Sequence, residues 1–476
     1  MFHRIQPDVR TGLADRLELG ESLTSMTGAQ DRPVVIVGGG ISGLSIAWLL
    51  AEVGVETVVI EKEERLGGLA RSFTYDDFTF DIGPHRFHTY LPEVETFIRD
   101  VLDSHTLEIN RSSKLQFRGS FYPWPLHPSR SLFRFPPGVA LGVIRDMLIG
   151  FPRHETESFR DQIIHMYGET LYRHFFEGYS TKFLGIPPEV THRDWAKTGV
   201  DRAIIDSRMQ IESLWALAWQ ILTTWKKSEM KFLYPQGGCE QFVINLRERL
   251  ESLGCLIVCG SEVDALEVSG GRISSVVVGD RTIEPSEVVW TGTIQSLSER
   301  LGLDRPNLNY LPLLCYNVML NDGRPFDFQW CYHGSADAIF SRVSAPASFD
   351  PSNTPPGKRS LCVEVTCGAK NGVYDEPEDH LDRVIEDLQK EKLLTTGGEV
   401  IGAKIERVPW AYPIYDLEYR DKLGAFEQQI ADVDNLMMAG RLGKFWYNNM
   451  DHCIEAAFPI RDQILTRLKR PSQRSA

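Results

Sequence analysis

The feature that most constrains this chain is a glycine-rich loop between a short apolar run and a helical pattern. Residues 33–38 read PVVIVG, and their β-branched side chains predict a buried strand. The loop GGGISG at residues 38–43 follows, and apolar residues at helical spacing continue to residue 53. Residues 57–61 (TVVIE) then predict a second strand that ends in an acid. Strand, loop, helix, strand and acid in this order predict a Rossmann-type dinucleotide-binding unit, and hence an α/β fold.

Each glycine of the loop has a separate physical task. Gly38 allows a tight turn, Gly40 lets the backbone approach a pyrophosphate, and Gly43 permits close packing of the helix on the strand. The helix that starts near Ser42 offers unpaired N–H groups to a phosphate, and Glu61 can accept hydrogen bonds from ribose hydroxyls. We therefore expect these five residues to bind a dinucleotide cofactor.

The residues that follow Glu61 indicate which dinucleotide is bound. Residues 61–72 (EKEERLGGLARS) place a second glycine pair just beyond the acid. In its pattern of Glu, then Arg-x-Gly-Gly, then Ser, the segment resembles the flavoprotein superfamily of amine oxidases, protoporphyrinogen oxidase and UDP-galactopyranose mutase. The resemblance implies FAD as the cofactor, with an arginine that offsets the pyrophosphate charge. It adds to the expected cofactor-binding residues Lys62, Arg65, Gly67, Gly68 and Leu69.

A histidine loop extends this resemblance. Residues 81–89 read DIGPHRFHT, which is similar to the GPHIFHT loop of the UDP-galactopyranose mutases and departs from it only at Arg86. In that family the loop lies beside the flavin ring, so the resemblance implies that Gly83, Pro84 and His85 contact the cofactor. It also implies that His85 is catalytic. A pKa near neutrality would suit this histidine to proton exchange.

The C-terminal segment carries the third resemblance. Residues 440–443 read GRLG, an aromatic cluster with Tyr447 follows, and Asn449 stands where the mutases have Asp before a helix. The resemblance implies that this helix end stabilises the negative charge of a reduced flavin and that Arg441 neutralises cofactor phosphate. It makes Arg441 and Tyr447 candidate catalytic residues. The expected cofactor contacts here are Gly440, Arg441, Asn448, Asn449 and Met450.

Between these segments the sequence suggests a division into domains. Residues 256–278 look like the small sheet whose backbone receives the FAD adenine, with Val263 at the end of its first strand and in contact with the cofactor. We expect a Rossmann-type FAD-binding domain assembled from discontinuous segments and a substrate domain of helices and antiparallel sheet. The FAD-binding segments are 33–101, 231–302 and 400–470, the substrate segments are 102–230 and 303–399, and residues 1–32 form a flexible tail.

Three functions remain open on the sequence. The first is a redox-neutral rearrangement of an activated nucleotide sugar through N5 of the reduced flavin, as the resemblance to UDP-galactopyranose mutase implies. The second is an oxidase or dehydrogenase of the amine oxidase or protoporphyrinogen oxidase type, which the YPQGG turn at residues 234–238 favours. The third is a protein that keeps FAD for stability and acts as an assembly partner.

One departure bears on the first hypothesis. The mutases hold the substrate diphosphate with arginines, one of them in a Tyr-Arg-Ser-Leu segment, and the matching residues 310–313 (YLPL) contain none. Arg342, Arg173 and Lys182 are candidate replacements. The chain shows no Ser/His/Asp arrangement, no paired carboxylates and no metal-ligand spacing, so we expect no metal site.

Composition limits the partners and the compartment. Lys and Arg number 51 and Asp and Glu 65, so the formal net charge is −14, which argues against nucleic acid or an anionic membrane as the main partner. No stretch of 18 apolar residues occurs, so no membrane-spanning segment is expected. Eight cysteines without a CxxC pair favour a reducing, cytoplasmic compartment. We expect a small-molecule substrate, and a homo-oligomer stays open.

Overall fold

A computed structural model describes most of the 476-residue chain. The described residues are 32–117, 119–124, 136–149, 156–196, 230–368, 372–396 and 399–469. The tail predicted for residues 1–32 lies outside them except for its last residue. The same holds for residues 197–229 of the predicted substrate domain.

Strands and helices alternate at the start of the chain, and strands dominate its middle. The strands are β1 (Val34–Val37), β2 (Thr57–Ile60), β3 (Ser72–Tyr75), β4 (Phe78–Asp81), β5 (Thr106–Asn110), β6 (Ser113–Phe117), β7 (Ser120–Trp124), β8 (Lys231–Pro235), β9 (Leu256–Val258), β10 (Ala265–Ser269), β11 (Arg272–Val278), β12 (Arg281–Ile283), β13 (Glu287–Trp290), β14 (Tyr310–Leu320), β15 (Trp330–His333), β16 (Arg342–Ser344), β17 (Arg359–Thr366), β18 (Val400–Pro413) and β19 (Leu436–Met438). The longer helices are α1 (Ile41–Ala51), α2 (Pro92–Leu102), α3 (Pro137–Ile149), α4 (Phe159–Tyr167), α5 (Glu177–Leu184), α6 (Glu240–Ser252), α7 (Ile294–Arg300), α8 (Leu381–Lys390), α9 (Tyr419–Gln429) and α10 (Met450–Leu468).

A five-stranded parallel sheet forms the first layer, in the order β19-β13-β1-β2-β9. Every residue of β1, β2 and β13 is buried, as expected for strands that are covered on both faces. Because the carboxyl ends of parallel strands meet at one edge, the loops after β1, β2, β13 and β19 open there together. The predicted α/β fold with a Rossmann-type unit is therefore confirmed.

A seven-stranded, mainly antiparallel sheet forms the second large unit, in the order β18-β14-β17-β16-β15-β6-β7. Strand β14 pairs with β17 on one side and with β18 on the other. Residues 400–413 were placed with the FAD-binding segments, but their backbone hydrogen bonds join them to this second sheet. The other domain boundaries stay predictions.

The small sheet differs from its predicted extent. It contains β10, β11 and β12, whereas β9 pairs in parallel with β2 and is an edge strand of the five-stranded sheet. Val263 therefore lies in the loop between β9 and β10 and does not end a strand. A three-residue strand is too short for its pairing to be read from periodicity.

The described helices and cysteines bear on two further predictions. Over the described ranges, no helix combines the length and the apolar character needed to cross a bilayer. All eight cysteines are free thiols, and seven of them are buried. Burial suits a reduced cysteine, which packs as a small apolar side chain.

Candidate functional site

A cavity of about 520 Å³ opens at the carboxyl edge of the parallel sheet. This volume lies within the range of small-molecule and cofactor sites. The cavity wall brings together most of the predicted cofactor-binding residues, which come from five separate parts of the chain. They are Gly38, Gly40, Ser42, Glu61, Lys62, Gly67, Gly68, Leu69, Pro84, His85, Val263, Gly440, Arg441, Asn448, Asn449 and Met450.

The glycine loop leaves room for a ligand at one position only. A Cβ placed on Gly40 would meet no atom within 4 Å, so the backbone there faces open space. A Cβ on Gly43 would lie 2.0 Å from the carbonyl oxygen of Gly38, and one on Gly38, whose φ is +106°, would lie 2.1 Å from Oγ1 of Thr291. Gly43 therefore does not line the cavity but lets α1 pack closely behind the loop.

The Glu61 carboxylate is fixed at the end of β2. The Gly39 N–H donates to its Oε2 at 2.7 Å, and the Glu63 N–H donates to its Oε1 at 2.9 Å. Each carboxylate oxygen still has an acceptor site that faces the cavity side, since a carboxylate offers about four lone-pair directions. A ribose contact at Glu61 thus stays a prediction that this geometry permits.

Besides Gly43, three predicted residues lie outside the cavity wall. The Arg65 guanidinium pairs with Glu240 of α6 at 2.5 Å and donates to the Ser72 carbonyl at 2.8 Å, so it does not face the cavity. Gly83, whose φ is +71°, forms the turn that precedes His85. The Tyr447 ring stacks on Trp195, with 5.1 Å between ring centroids.

The histidine loop is held by a carboxylate that the sequence analysis did not identify. Asp81 accepts hydrogen bonds from the Ser72 hydroxyl (2.6 Å), the Tyr234 hydroxyl (2.7 Å) and the Cys239 N–H (3.0 Å). Burial raises the pKa of this carboxyl. The YPQGG turn thus supports the base of the loop from a distant part of the chain, which no local pattern shows.

The His85 imidazole is neutral in this surrounding. Burial, together with the neighbouring positive charges of Arg441, Arg342 and Arg86, lowers its pKa to about 3. Its Nδ1 is buried and has no hydrogen-bond partner in the described part of the chain. This differs from the pKa near neutrality that the sequence suggested, because burial of the ring and its contact with Arg441 and Arg342 arise only in the folded protein.

We expect the free energy of unfolding of the cofactor-free protein to fall as the pH is lowered from about 6.5 towards 3. An unfolded histidine takes up its proton near pH 6.5, whereas folded His85 does so only near pH 3. Between these values the unfolded state binds more protons, so stability is lost as the pH falls. Urea unfolding at several pH values should show a weaker dependence in His85→Gln. His333, whose pKa burial also lowers, contributes equally to both proteins, so identical slopes would contradict the assignment.

The positive end of a long helix and a stacked arginine complete the cavity. Helix α10 begins at Met450, and its preceding residue Asn449 also lines the wall. Arg441 donates to the Asn448 carbonyl at 3.0 Å and lies over the rings of Tyr412 (4.7 Å) and Tyr447 (4.6 Å). A helix N-terminus and an arginine together favour negative charge on a ligand.

These residues fit FAD. Three buried polar atoms on one wall lack partners in the described residues, namely His85 Nδ1, Arg441 Nε and Asn448 Nδ2. Buried polar atoms are nearly always paired, so a ligand with hydrogen-bonding groups is expected against this wall. Elsewhere in the same cavity, the open space at Gly40 would let a phosphate group reach the N-terminus of α1.

Several residues of the cavity wall were not among the expected cofactor contacts. Residues 407–410, on β18, reach the cavity from the second sheet, and Lys62 Nζ lies 4.3 Å from the Trp410 ring centroid. Arg86 lines the cavity as well. These residues reach the cavity because of the way the two sheets pack against each other. The spacing of residues along the chain does not indicate this packing.

The three candidate diphosphate cations are all engaged within the protein. Arg342 forms two contacts of 2.6 Å with the Glu364 carboxylate. Lys182 Nζ donates to three backbone carbonyls at 2.7–2.9 Å, and burial lowers its pKa to about 8. Arg173 pairs with Glu169 on an exposed helical turn. None of the three is available to a ligand without breaking these contacts.

Comparison with known proteins supports this description. The family described as the NAD(P)-binding Rossmann-like domain matches residues 36–101. A dTDP-fucopyranose mutase of Escherichia coli is 30% identical over 168 residues, which are 33% of this chain and 42% of the mutase. An L-amino-acid oxidase of Sistrurus catenatus edwardsii is 36% identical over 100 residues, which are 21% of this chain and 18% of the oxidase. The matches thus span less than half the length of these relatives.

Solved structures match over nearly the whole chain. A reduced UDP-galactopyranose mutase superposes with a TM-score of 0.77 at 18% identity, covering 93% of this chain and 97% of the mutase. A putative protoporphyrinogen oxidase from Exiguobacterium sp. gives a TM-score of 0.73 at 17% identity, covering 92% and 99%. A putrescine oxidase bound to putrescine gives 0.60 at 18% identity, covering 91% and 99%. The chain therefore has the fold that these three solved structures share.

Proposed function

We propose that this protein is an FAD-dependent enzyme that rearranges an activated sugar carried on a nucleotide. The observation that carries the proposal is the polar, cationic surrounding of His85. Arg342 donates to the Tyr412 hydroxyl at 3.2 Å, and Arg441 lies between the rings of Tyr412 and Tyr447. Hydroxyl groups and phosphates of a nucleotide sugar are suited to tyrosine hydroxyls and guanidinium groups.

The residues of the cavity divide the binding of FAD between them. Gly40 and the start of α1 would hold the pyrophosphate, and Glu61 the ribose. The N-terminus of α10 and Arg441 would face the ring, where their positive charge stabilises a reduced, anionic flavin. When bound and reduced, FAD supplies a nucleophilic nitrogen, N5. Neutral His85 is suited to hold a hydrogen bond at the ring, since protonating it would require a pH near 3.

The names of two similar proteins support a nucleotide sugar as the substrate. A dTDP-fucopyranose mutase is similar in sequence over part of the chain, and a UDP-galactopyranose mutase is similar in structure over nearly all of it. A redox-neutral rearrangement requires few side chains that act as acids or bases. It needs charge stabilisation at the ring, which Arg441 and the N-terminus of α10 would supply, and a water-poor site, to which the tyrosine rings packed on Arg441 would contribute.

An amine oxidase is the second candidate, because aromatic rings lie close together beside the cavity. Tyr412 and Tyr447 meet edge to face with 5.2 Å between centroids, and such rings could attract an amine cation. Arg441 already occupies a position over both rings, however, and a second cation there would be repelled. The charge around His85 thus favours an anionic substrate over a cationic one.

Turnover of nucleotide sugars by the reduced enzyme tests the proposal. We expect dithionite-reduced protein under anaerobic conditions to convert UDP-galactopyranose or dTDP-fucopyranose to an isomer of equal mass, detected by chromatography and NMR. The oxidised protein is the control and should leave the sugars unchanged. Peroxide formation from an amine by oxidised protein, with no isomerisation by the reduced form, would overturn the proposal and support the oxidase.

A further inference from the structure

Arg86 is a cation whose chemistry the proposed function does not yet use. It follows His85 in the loop, at the one position where the GPHIFHT pattern has isoleucine. Its guanidinium carbon lies 4.2 Å from the ring centroid of Trp330, a residue of β15 with no solvent exposure. Arg111 lies near the same ring, at 5.1 Å. The Arg86 side chain therefore packs against β15 of the seven-stranded sheet.

Arg86 has no ion-pair partner within 4 Å among the residues that the structure describes. No carboxylate oxygen lies within 4 Å of its guanidinium, and no side-chain hydrogen bond satisfies it. Contact with the rings of Trp330 and Phe232 compensates only partly for removing a cation from water, so a half-buried charge of this kind is normally paired. Burial lowers the pKa of Arg86, Tyr332 and the more distant Asp451 carboxylate raise it, and the charge of Arg342 lowers it.

The other cations nearby are already neutralised or committed. Arg342 is bound to Glu364, Lys182 to three carbonyls, and Arg441 to the Asn448 carbonyl. Arg86 differs from Arg342 and Lys182 because no acceptor among the described residues holds its guanidinium, and from Arg441 because it lies on the seven-stranded sheet at Trp330. Tyr332 lies two residues after Trp330 on the same face of β15, and it pairs in register with Arg342. These neighbours of Arg86 on the sheet could therefore also contact a ligand.

A ligand can reach Arg86 from two sides. It lines the large cavity and also a second cavity of about 330 Å³ beside the start of α10. The wall of the second cavity carries the further cations Arg111 and Lys231, and across it the carboxylates Asp451 and Glu455. Arg86 stands where the two cavities meet, so a group bound there lies next to the residues expected at the flavin ring.

We propose that Arg86 is the anion-binding residue of the substrate site and binds a phosphate oxygen of the substrate's diphosphate. The inference rests on the proposed function, because a nucleotide sugar brings such a group. A guanidinium stacked on an indole is held in one plane, which suits bidentate recognition of phosphate. The cofactor's own phosphates are expected at Gly40, on the loop that follows β1, and so do not account for Arg86.

Binding of diphosphates to the FAD-loaded protein tests the inference. The probes are UDP and dTDP, the nucleosides uridine and thymidine, and inorganic pyrophosphate, followed by flavin absorbance and calorimetry. Arg86→Ile should keep FAD and weaken diphosphate binding by about 10- to 100-fold, the loss expected for one charge-assisted hydrogen-bonding group. Arg86→Lys should lose less, because it keeps the charge but not the fork of donors. Arg173→Met, which removes an exposed arginine outside both cavities, is the matched control and should bind as wild type.

The outcomes separate this inference from the proposed function. Diphosphate affinity in Arg86→Ile equal to that of the wild type would overturn the inference, while nucleotide-sugar turnover in the same variant would leave the function intact. Equal losses for UDP and uridine would also overturn it, since a phosphate contact cannot affect the nucleoside. Arg86-dependent binding of pyrophosphate without any binding of UDP or dTDP would support the anion site and overturn the nucleotide-sugar substrate. A wild type that binds none of the anions would overturn both.

Discussion

Gly40→Val should give a folded protein that has lost its cofactor. Its side chain would enter open space, so the protein itself is not strained, and the poorer helix cap costs at most about 1 kcal/mol. The same space is where we place the pyrophosphate. Overpacking there by about 3 kcal/mol corresponds to roughly 100-fold weaker FAD binding. The ratio of flavin to protein absorbance after purification measures the loss, and the melting temperature without cofactor reports the fold.

Gly43→Ala should show the opposite behaviour. Its Cβ would lie 2.0 Å from the Gly38 carbonyl, and backbone on both sides must move to relieve the contact. We expect a loss of stability of about 1–3 kcal/mol even without cofactor. Gly424→Ala in α9 is the control, because a Cβ there meets no atom within 4 Å and alanine favours the helix. Full FAD content in Gly40→Val, or unchanged stability in Gly43→Ala, would contradict this description of the loop.

Glu364→Gln should destabilise the protein by about 3–5 kcal/mol, because it leaves the Arg342 charge buried without a partner. Glu364 is 1% exposed and binds Arg342 through both oxygens at 2.6 Å. Its carboxyl group also packs under Gly83, where a Cβ would come within 2.9 Å of it. The ion pair therefore supports the loop that carries His85. Chemical unfolding of the variant and of the wild type measures the difference.

Two comparisons make this prediction specific to a buried pair. Arg342→Met combined with Glu364→Gln should recover much of the lost stability, since no unpaired charge remains. Glu95→Gln breaks the exposed pair with Arg99, whose side chains are 45% and 42% exposed, and should cost less than about 1 kcal/mol. If Glu364→Gln cost no more than Glu95→Gln, the pair would not be the support that the structure indicates.

The sequence alone determined the parts of the site that are local. The turn at Gly38, the open backbone at Gly40 and the acid at Glu61 lie within one strand–loop–helix–strand unit. Neighbouring residues along the chain fix its geometry, so spacing is sufficient to predict it. The GPHRFHT loop and the start of α10 were placed by resemblance to a family, and the structure brings both to the wall of the same cavity.

The tertiary structure decided which charges are free. Arg65 was expected at the pyrophosphate, but Glu240, 175 residues further along the chain, holds it elsewhere. Arg342 was a candidate for the substrate and is neutralised by Glu364, whereas Arg86 was noted only as a departure and has no carboxylate within ion-pair distance in the described chain. His85 is neutral mainly because it is buried, and the positive charges of Arg441 and Arg342, from two distant segments, and of the adjacent Arg86 act in the same direction. The electrostatic environment of each of these side chains depends on its burial and on residues distant in the chain. A sequence pattern gives neither of them.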